Sequence, residues 1–397
     1  MGPAIILDKN ALQSLSAAEL FFLYKYFNVV IPSVLIYEIL GDLQKGEDSE
    51  ISKQQVTDLA NKIYSSDSVL NVSHFHLIEA EMAGEQITLD YRPLVAAEQV
   101  QTIKGETGYV VEPTPEQQAI QRWRVGDFSD SELLLAKDWR ETTLEFDLDG
   151  LKSRLQPILG DLPRVTSHSD LSKVADEFIQ RYDNNPEILH LAKGIFDIEP
   201  DIFGKALARF IASESRTLQE FAPYTHYCLK VTLILYFGLH LIGPRSTNVL
   251  DFQYIYYLPF CEVFVSNDKL HKNIVPSLIG PNQLFIDGES LKSDLAKLAM
   301  EWNEMDADSR TEQWDKKYGT IPPPNKESPV YQAWENSRHW HLDNNFGSVD
   351  SSTEPRTTEP DFIEIKRYIT ANDPCPCRSG KKFGDCCLDK VDPNHGG

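Results

Sequence analysis

Residues 3–8 hold the unbroken apolar run Ala4-Ile5-Ile6-Leu7, which fits a strand buried on both faces and ends in the polar step Asp8-Lys9-Asn10. Helical spacing follows over Ala17–Phe27, opened by Ser16 with Glu19 three residues on, a capping box. A second run, Val29–Ile31, stops at Pro32, which starts another helix running to about Leu43. This β-α-β-α order with short connections opens a doubly wound α/β domain.

After the polar turn Lys45–Glu50 the pattern changes to amphipathic helices. They are expected over Gln54–Tyr64, Pro115–Trp123, Asp130–Thr142, Leu151–Leu159, Leu171–Arg181, Pro186–Phe196 and Ile202–Ala212, with short strands at Ile87–Tyr91 and Tyr109–Val111. Long apolar helices return over Thr217–Leu241 and Val249–Leu258. A strand at Glu262–Ser266 then breaks into Asn267-Asp268-Lys269, and a strand at Gln283–Ile286 and a helix at Ser290–Glu304 follow. If the strand at Glu262 joins the sheet begun near residue 3, the chain divides into a first part of one α/β domain at 1–45, a mainly helical insertion at 46–201 and the second part at 202–305. A helical and irregular extension (306–343), a linker rich in Ser, Thr, Glu and Pro (344–361) and a cysteine-bearing tail (362–397) complete it. No internal repeat recurs at a fixed period.

With 41% apolar residues in 397, the chain can bury a sizeable core. No run of eighteen apolar residues occurs, and the stretch around Val231–Leu241 is broken by Gly238 and His240, which suits a core helix better than a membrane span. Without a basic leader before the first strand, the expectation is a soluble cytoplasmic protein that does not engage a membrane. The balance of 38 basic to 60 acidic residues, net −22, opposes unspecific binding to nucleic acid. A nucleic-acid substrate must therefore meet a local basic patch, a metal ion or a partner's positive charge.

The chemistry begins with the two strand-end aspartates, because the carboxyl edge of a parallel sheet is where ligands and catalysis sit. Asp8 and Asp268 fall at two such ends, and Asp251 lies in the first turn of its helix. Glu38 stands in the otherwise apolar Val34-Leu35-Ile36-Tyr37-Glu38-Ile39-Leu40, where a charge is costly unless a cation or strong donor meets it. Each is ordinary alone, as cap, turn or first-turn residue. Gathered together they would repel unless cations sat between them, so the set implies divalent metal, magnesium or manganese. Lys9, Lys269, His271, Lys272 and Arg245 flank the set as candidate phosphate contacts. His74-x-His76 with Glu79 and His339-x-His341 with Asp343 do not complete a metal site, and the six tryptophans read more readily as packing than as base-stacking residues.

The order hydrophobic-Asp8-x-Asn10, then Ile31-Pro-Ser-Val-Leu-Ile-Tyr-Glu38, then a late helix with Asp251, then Phe264-Val-Ser-Asn-Asp268-Lys269 resembles the PIN-domain nucleases over about residues 1–45 and 240–300. That resemblance implies a PIN-like parallel sheet flanked by helices, with Asp8, Glu38, Asp251 and Asp268 as catalytic ligands of Mg²⁺ or Mn²⁺. It implies hydrolysis of phosphodiesters, most often in RNA, and makes Asn10 and Ser266 or Asn267 groups that either support the metal ligands or position the substrate, with Lys269 and Arg245 beside them. Compact members lack so large an insertion between the second and third acidic positions.

Of six cysteines, four lie in the C-x-C-x8-C-C pattern Cys375, Cys377, Cys386, Cys387, and only Cys228 and Cys261 lie elsewhere. Four thiolates at such spacing complete a closed tetrahedral zinc site, structural rather than catalytic. The segment, with Ser379-Gly380-Lys381-Lys382-Phe383, resembles the SEC-C motif appended to many bacterial proteins, with Cys387 where histidine often stands. The resemblance implies a bacterial source and a small docking module for a protein or ribosome partner.

The leading expectation is thus a metal-dependent ribonuclease with a zinc-binding docking tail, acting as a toxin, a defence effector or an RNA-processing factor. Its rivals are a non-catalytic adaptor that docks through the tail and a DNA-directed nuclease.

Overall fold

Short apolar runs from both ends of the domain pair into one parallel sheet. Its strands are β1 (Ala4–Leu7), β2 (Asn28–Ile31), β3 (Ser68–Leu70), β4 (Val263–Ser266) and β5 (Leu284–Asp287), in the order β3-β2-β1-β4-β5. The computed structural model describes residues 2–343, except 47, 65–67, 102–106, 111, 112, 145–149, 151, 152, 154, 155, 157–164, 183, 214–216 and 244, together with Phe362–Ile363. Central β1 and β4 are buried along their whole length, whereas the edge strands β3 and β5 are mostly half-buried. A parallel strand covered on both faces needs an unbroken apolar run, which is why the two central strands stand out in the sequence and the edges do not.

The register places the site. Ile5 lies opposite both Val29 and Val263, and Leu7 opposite Val265, so Asp8 emerges beside Ser266. On the far side Ser266 lies opposite Asp287.

Helices α1 (Lys9–Ser14), α2 (Ala17–Tyr26) and α3 (Ser33–Gly41) fill the first connections, and the capping box of Ser16 and Glu19 forms as the sequence predicts. Pro32 occupies the N-cap of α3, and a short 3₁₀ turn, Asp42–Gln44, ends that run. Then come α4 (Ser49–Ile63), α5 (His74–Ala83), α6 (Pro115–Trp123), α7 (Asp130–Leu144), α8 (His168–Gln180), α9 (Glu187–Phe196) and α10 (Pro200–Ala212). The chain returns to the sheet through α11 (Leu218–Phe221), α12 (Pro223–Ile242) and α13 (Asn248–Ile255), with α14 (Lys269–Ile274) and α15 (Gly288–Glu304) after β4 and β5. Two further helices, α16 (Arg310–Tyr318) and α17 (Pro329–Asp343), form the extension. Strand β3 falls inside residues 46–201, so the helical insertion shares the sheet.

Helix α12 is, among the described residues, the one helix long and apolar enough to cross a membrane. Here 56% of its most apolar window is buried within the protein, and it packs on α8. No side chain of its own caps its start, and Glu81 of α5 does so instead. The Glu81 carboxylate accepts the Tyr224 N–H at 2.9 Å, the Thr225 N–H at 2.7 Å and the Thr225 hydroxyl at 2.7 Å. Burial pushes this carboxyl up to about 7 even though those donors oppose the shift.

Several expectations need correction. Ile87–Tyr91 is not a strand: Tyr91 has φ of 66°, a left-handed conformation that no strand continues, and its N–H donates to Pro259 O at 2.9 Å. The helix expected over Thr217–Leu241 is two helices, because Pro223 forces Ala222 out of the helical region (φ −148°, ψ 77°). Tyr109 belongs to an antiparallel hairpin of Glu98–Gln101 with Thr107–Val110. Leu151–Leu159 lies outside the described residues apart from Ser153 and Gln156, as do the linker and the cysteine tail apart from Phe362–Ile363, which pair in parallel with Val95–Ala96.

Candidate active site

Each of the four acidic residues stands where a local rule puts it. Asp8 leaves β1 in extended conformation and caps α1, its Oδ1 accepting the Ala11 N–H at 2.7 Å. Asp268 does the same after β4, accepting the Leu270 N–H at 2.6 Å as the cap of α14. Glu38 rides α3 between buried Ile36 and Ile39, and Asp251 sits in the first turn of α13, which packs on α3. One sheet edge thereby collects all four.

Asp8 is tightly wired. Its N–H donates to Val265 O at 3.0 Å, which locks it against β4. The Ser266 hydroxyl donates to Asp8 Oδ2 and also accepts the Asp268 N–H at 2.9 Å. Behind Ser266 stands His271 of α14, fully buried, with Nδ1 2.7 Å from Ser266 Oγ and Nε2 2.8 Å from the Asp251 carbonyl oxygen. A carbonyl only accepts, so Nε2 carries a proton. The two contacts of the Asp8–Ser266–His271 chain need two protons, and Ser266 supplies one. When His271 is charged, the second stands on its Nδ1. Burial alone would lower the His271 pKa, but Asp8 and Asp251 outweigh it and hold it above its ordinary value.

The opposite side is looser. Tyr254, three residues after Asp251 on α13, donates its hydroxyl to Glu38 Oε2 at 2.5 Å. Burial raises the Glu38 carboxyl, Lys9 and Tyr254 pull it down, and the charges of Asp8 and Asp42 push it up again. Asp251 is pushed up to about 7, chiefly by burial, opposed by His271 and reinforced by Asp268, Glu38 and Asp8. Its carboxylate accepts no hydrogen bond among the described residues. Four acids that feel one another's charge, with Asp251 pushed up to about 7, form a region short of positive charge.

The flanking residues sort differently from the sequence expectation. Ser266 is fully buried and organises Asp8, which is the supporting one of its two expected roles. Asn267 accepts the Glu289 N–H at 3.1 Å and presses on Gly288, tying β4 to the start of α15. Lys9 is buried, 2.8 Å from Asp42 and donating to Glu38 O at 3.1 Å, and Lys272 pairs with Asp287. With His271 interior, none of these three is a free phosphate contact. Asn10, Lys269 and Arg245 are exposed with no side-chain partner among the described residues, which leaves them available to a ligand. His74 donates its backbone N–H to the Tyr257 hydroxyl and is driven down to about 3 by burial, so it serves packing.

Sequence reasoning missed Tyr254 and misassigned His271. Tyr254 could have been found from its i,i+3 spacing to Asp251. Nothing in the sequence distinguishes a buried histidine from a surface one.

Among the described residues no three His, Cys, Asp or Glu side chains converge closely enough to enclose a metal ion by themselves. The donors are nonetheless hard oxygens, and Glu38, Asp251 and Asp268 each keep an oxygen without a hydrogen bond among the described residues. Magnesium keeps several waters and is commonly held by one or two carboxylates, so this open arrangement fits it, and manganese with it. The set does not suit soft-ligand metals.

Residues 372–389 match the SEC-C motif, a stretch that takes in Cys375, Cys377, Cys386 and Cys387. No solved structure matches the chain. The chain is therefore an α/β protein, a five-stranded parallel sheet flanked by helices, that carries a SEC-C motif near its C-terminus.

Proposed function

We propose that the protein is a metal-dependent endonuclease of the PIN type, cutting RNA, with a zinc-bound tail that docks it to a partner. The observation that carries this reading is Asp251: a carboxyl held near neutrality by burial and by three neighbouring acids at the carboxyl edge of a parallel sheet. Such a group trades its proton for a cation readily. Glu38, Asp251 and Asp268 would hold magnesium or manganese, with Asp8 beside them. When bound, the ion would lower the pKa of a coordinated water and offset charge on the phosphate. The chain's own residues do the positioning. His271 and Ser266 fix Asp8, Tyr254 fixes Glu38, and the helix caps fix Asp8 and Asp268. The site contains no nucleophilic side chain in this reading, so water attacks the phosphate directly.

Purified protein incubated with RNA and with DNA in magnesium or manganese tests the reading. Cleavage should vanish with chelator and fall by about 10²-fold or more in Asp8→Asn and Asp268→Asn. Equal activity in the wild type and both variants would sink the site.

The SEC-C match favours a second reading, an adaptor that docks to a ribosome or protein partner without catalysis. It predicts tail-dependent co-sedimentation with ribosomes that is indifferent to the aspartates. In both readings the four cysteines bind zinc, so a chain truncated after Ile369 should lose about one zinc per molecule.

A further inference from the structure

A pocket of about 190 Å³ opens beside Glu38, between α3, the insertion helix α7 and the start of α13. Its walls bring Lys9, Lys45 and Arg140 together with Glu38 and Asp42, a local excess of positive charge in a chain of net −22. Lys9 is committed to Asp42, and Lys45 lies 3.7 Å from that same carboxylate with about half of its side chain exposed. Arg140 has no ion pair or hydrogen bond among the described residues. Trp139 forms another wall, its indole packed on Tyr37 at 5.1 Å and close over Gly41.

Thr247 adds an independent sign of a ligand. It stands at the N-cap of α13 yet makes no capping bond, and its buried hydroxyl oxygen has no partner. A buried hydroxyl without a partner is costly, and Thr247 is one of the residues around the pocket. It precedes Asp251 by four residues, one helical turn, so the pocket and the acidic site adjoin along α13 as well as through Glu38.

We infer that this pocket seats the nucleotide next to the cleaved phosphodiester of a single-stranded nucleic acid, with Arg140, Lys45 and the Thr247 hydroxyl on its phosphate and the Trp139 indole against its apolar faces. The inference rests on the nuclease reading and extends it by giving the insertion a task, since Trp139 and Arg140 both come from α7. Size supports a single unit, since the volume is below the roughly 300–1,000 Å³ of pockets for drug-sized ligands. A single nucleotide is the unit of that scale, and a duplex does not enter. The free guanidinium beside an indole is the pairing that tracks a backbone while tolerating any base.

The test is fluorescence anisotropy of labelled ten-nucleotide RNA and DNA strands and of an RNA duplex, with the full-length protein in chelator. Arg140→Glu and Lys45→Glu should each weaken single-strand binding by about tenfold at low salt and lower the salt slope by about one. Thr247→Val should weaken it several-fold, and circular dichroism should show all three variants folded. Unchanged affinity and salt slope in both charge reversals overturns the pocket. A duplex bound as tightly as the strand, or a wild type that binds neither strand, overturns it too. RNA and DNA strands bound alike mean that phosphate and base are read, whereas RNA alone means that the sugar hydroxyl is read as well; either supports the pocket. If the wild type cleaves RNA while the charge reversals bind normally, the pocket falls and the nuclease stands. If they lose binding while the wild type never cleaves, the pocket stands as a binding site and the nuclease falls.

Discussion

The Asp8 corner and the Glu38–Asp251 face belong to one acidic edge but are built differently. At Asp8 both carboxylate oxygens are bonded, to the Ala11 N–H and the Ser266 hydroxyl, and the buried His271 stands behind. Across the site, Glu38 has one tyrosine hydroxyl and Asp251 no hydrogen bond to its carboxylate among the described residues. The first corner is finished within the protein. The second is left short of positive charge, and that shortage is what a cation would remedy. An acidic site thus divides into a part that fixes geometry and a part that stays available.

The comparison breaks most readily through stability without metal. Asp8→Ala removes the acceptor of the Ala11 N–H and the Ser266 hydroxyl and the carboxylate that faces buried His271, and breaking a buried charged network from one side costs on the order of 3–5 kcal/mol. Asp251→Ala should cost far less, or even stabilise, because it removes repulsion. Denaturant titrations of the two variants in chelator check this, and equal losses would abolish the distinction.

Next comes pH. An acid whose folded pKa is raised binds its proton more tightly in the folded state, so its contribution worsens as pH rises from the unfolded value toward the folded one. For Asp251 that window runs from 3.8 to about 7, and the effect is on the order of a few kcal/mol. Glu38 acts in the same direction. His271, raised from 6.5, contributes stability below that value and loses it as pH climbs through its folded pKa. Metal-free protein should therefore melt lower at pH 8 than at pH 5, and Asp251→Asn should flatten the profile. A wild type that grows more stable toward pH 8 would contradict the assignment.

A smaller effect sharpens the second region. Manganese at a hundred times its dissociation constant should stabilise the wild type by about 2.7 kcal/mol. Asp251→Asn should lose that increment. Tyr254→Phe should cost about 1–2 kcal/mol and reduce the manganese increment, since it frees Glu38 from a charge-assisted bond; an unchanged increment would show that Tyr254 is packing only. Smallest of all, Asn10→Ala should shift stability by less than about 0.5 kcal/mol, because the residue is exposed and unbonded.

Much of the frame was legible in the sequence. The runs at β1, β2 and β4, the Ser16–Glu19 box and most helices followed from period and caps, because those signals are local. Strand β3 was not legible, being three half-buried residues in a polar stretch. The break at Ala222 follows from the proline after it, because Pro223 disfavours a helical conformation in the residue before it. Among the site residues, the four acids could be named from strand ends and helix turns. Lys9 and His271 are not the free phosphate contacts expected of them, because burial is a property of the assembled fold.

By itself the sequence determined that apolar runs end in carboxylates, that helices start where they do, and that a SEC-C motif lies near the C-terminus. These are properties of neighbours along the chain. Only the tertiary structure decided that Asp8 lies beside Ser266 across 258 positions, that His271 is sealed behind them, and that α7 closes a basic pocket over Glu38. Register, burial and the charge of a buried group depend on what the rest of the chain places there, and spacing along the chain carries no trace of it.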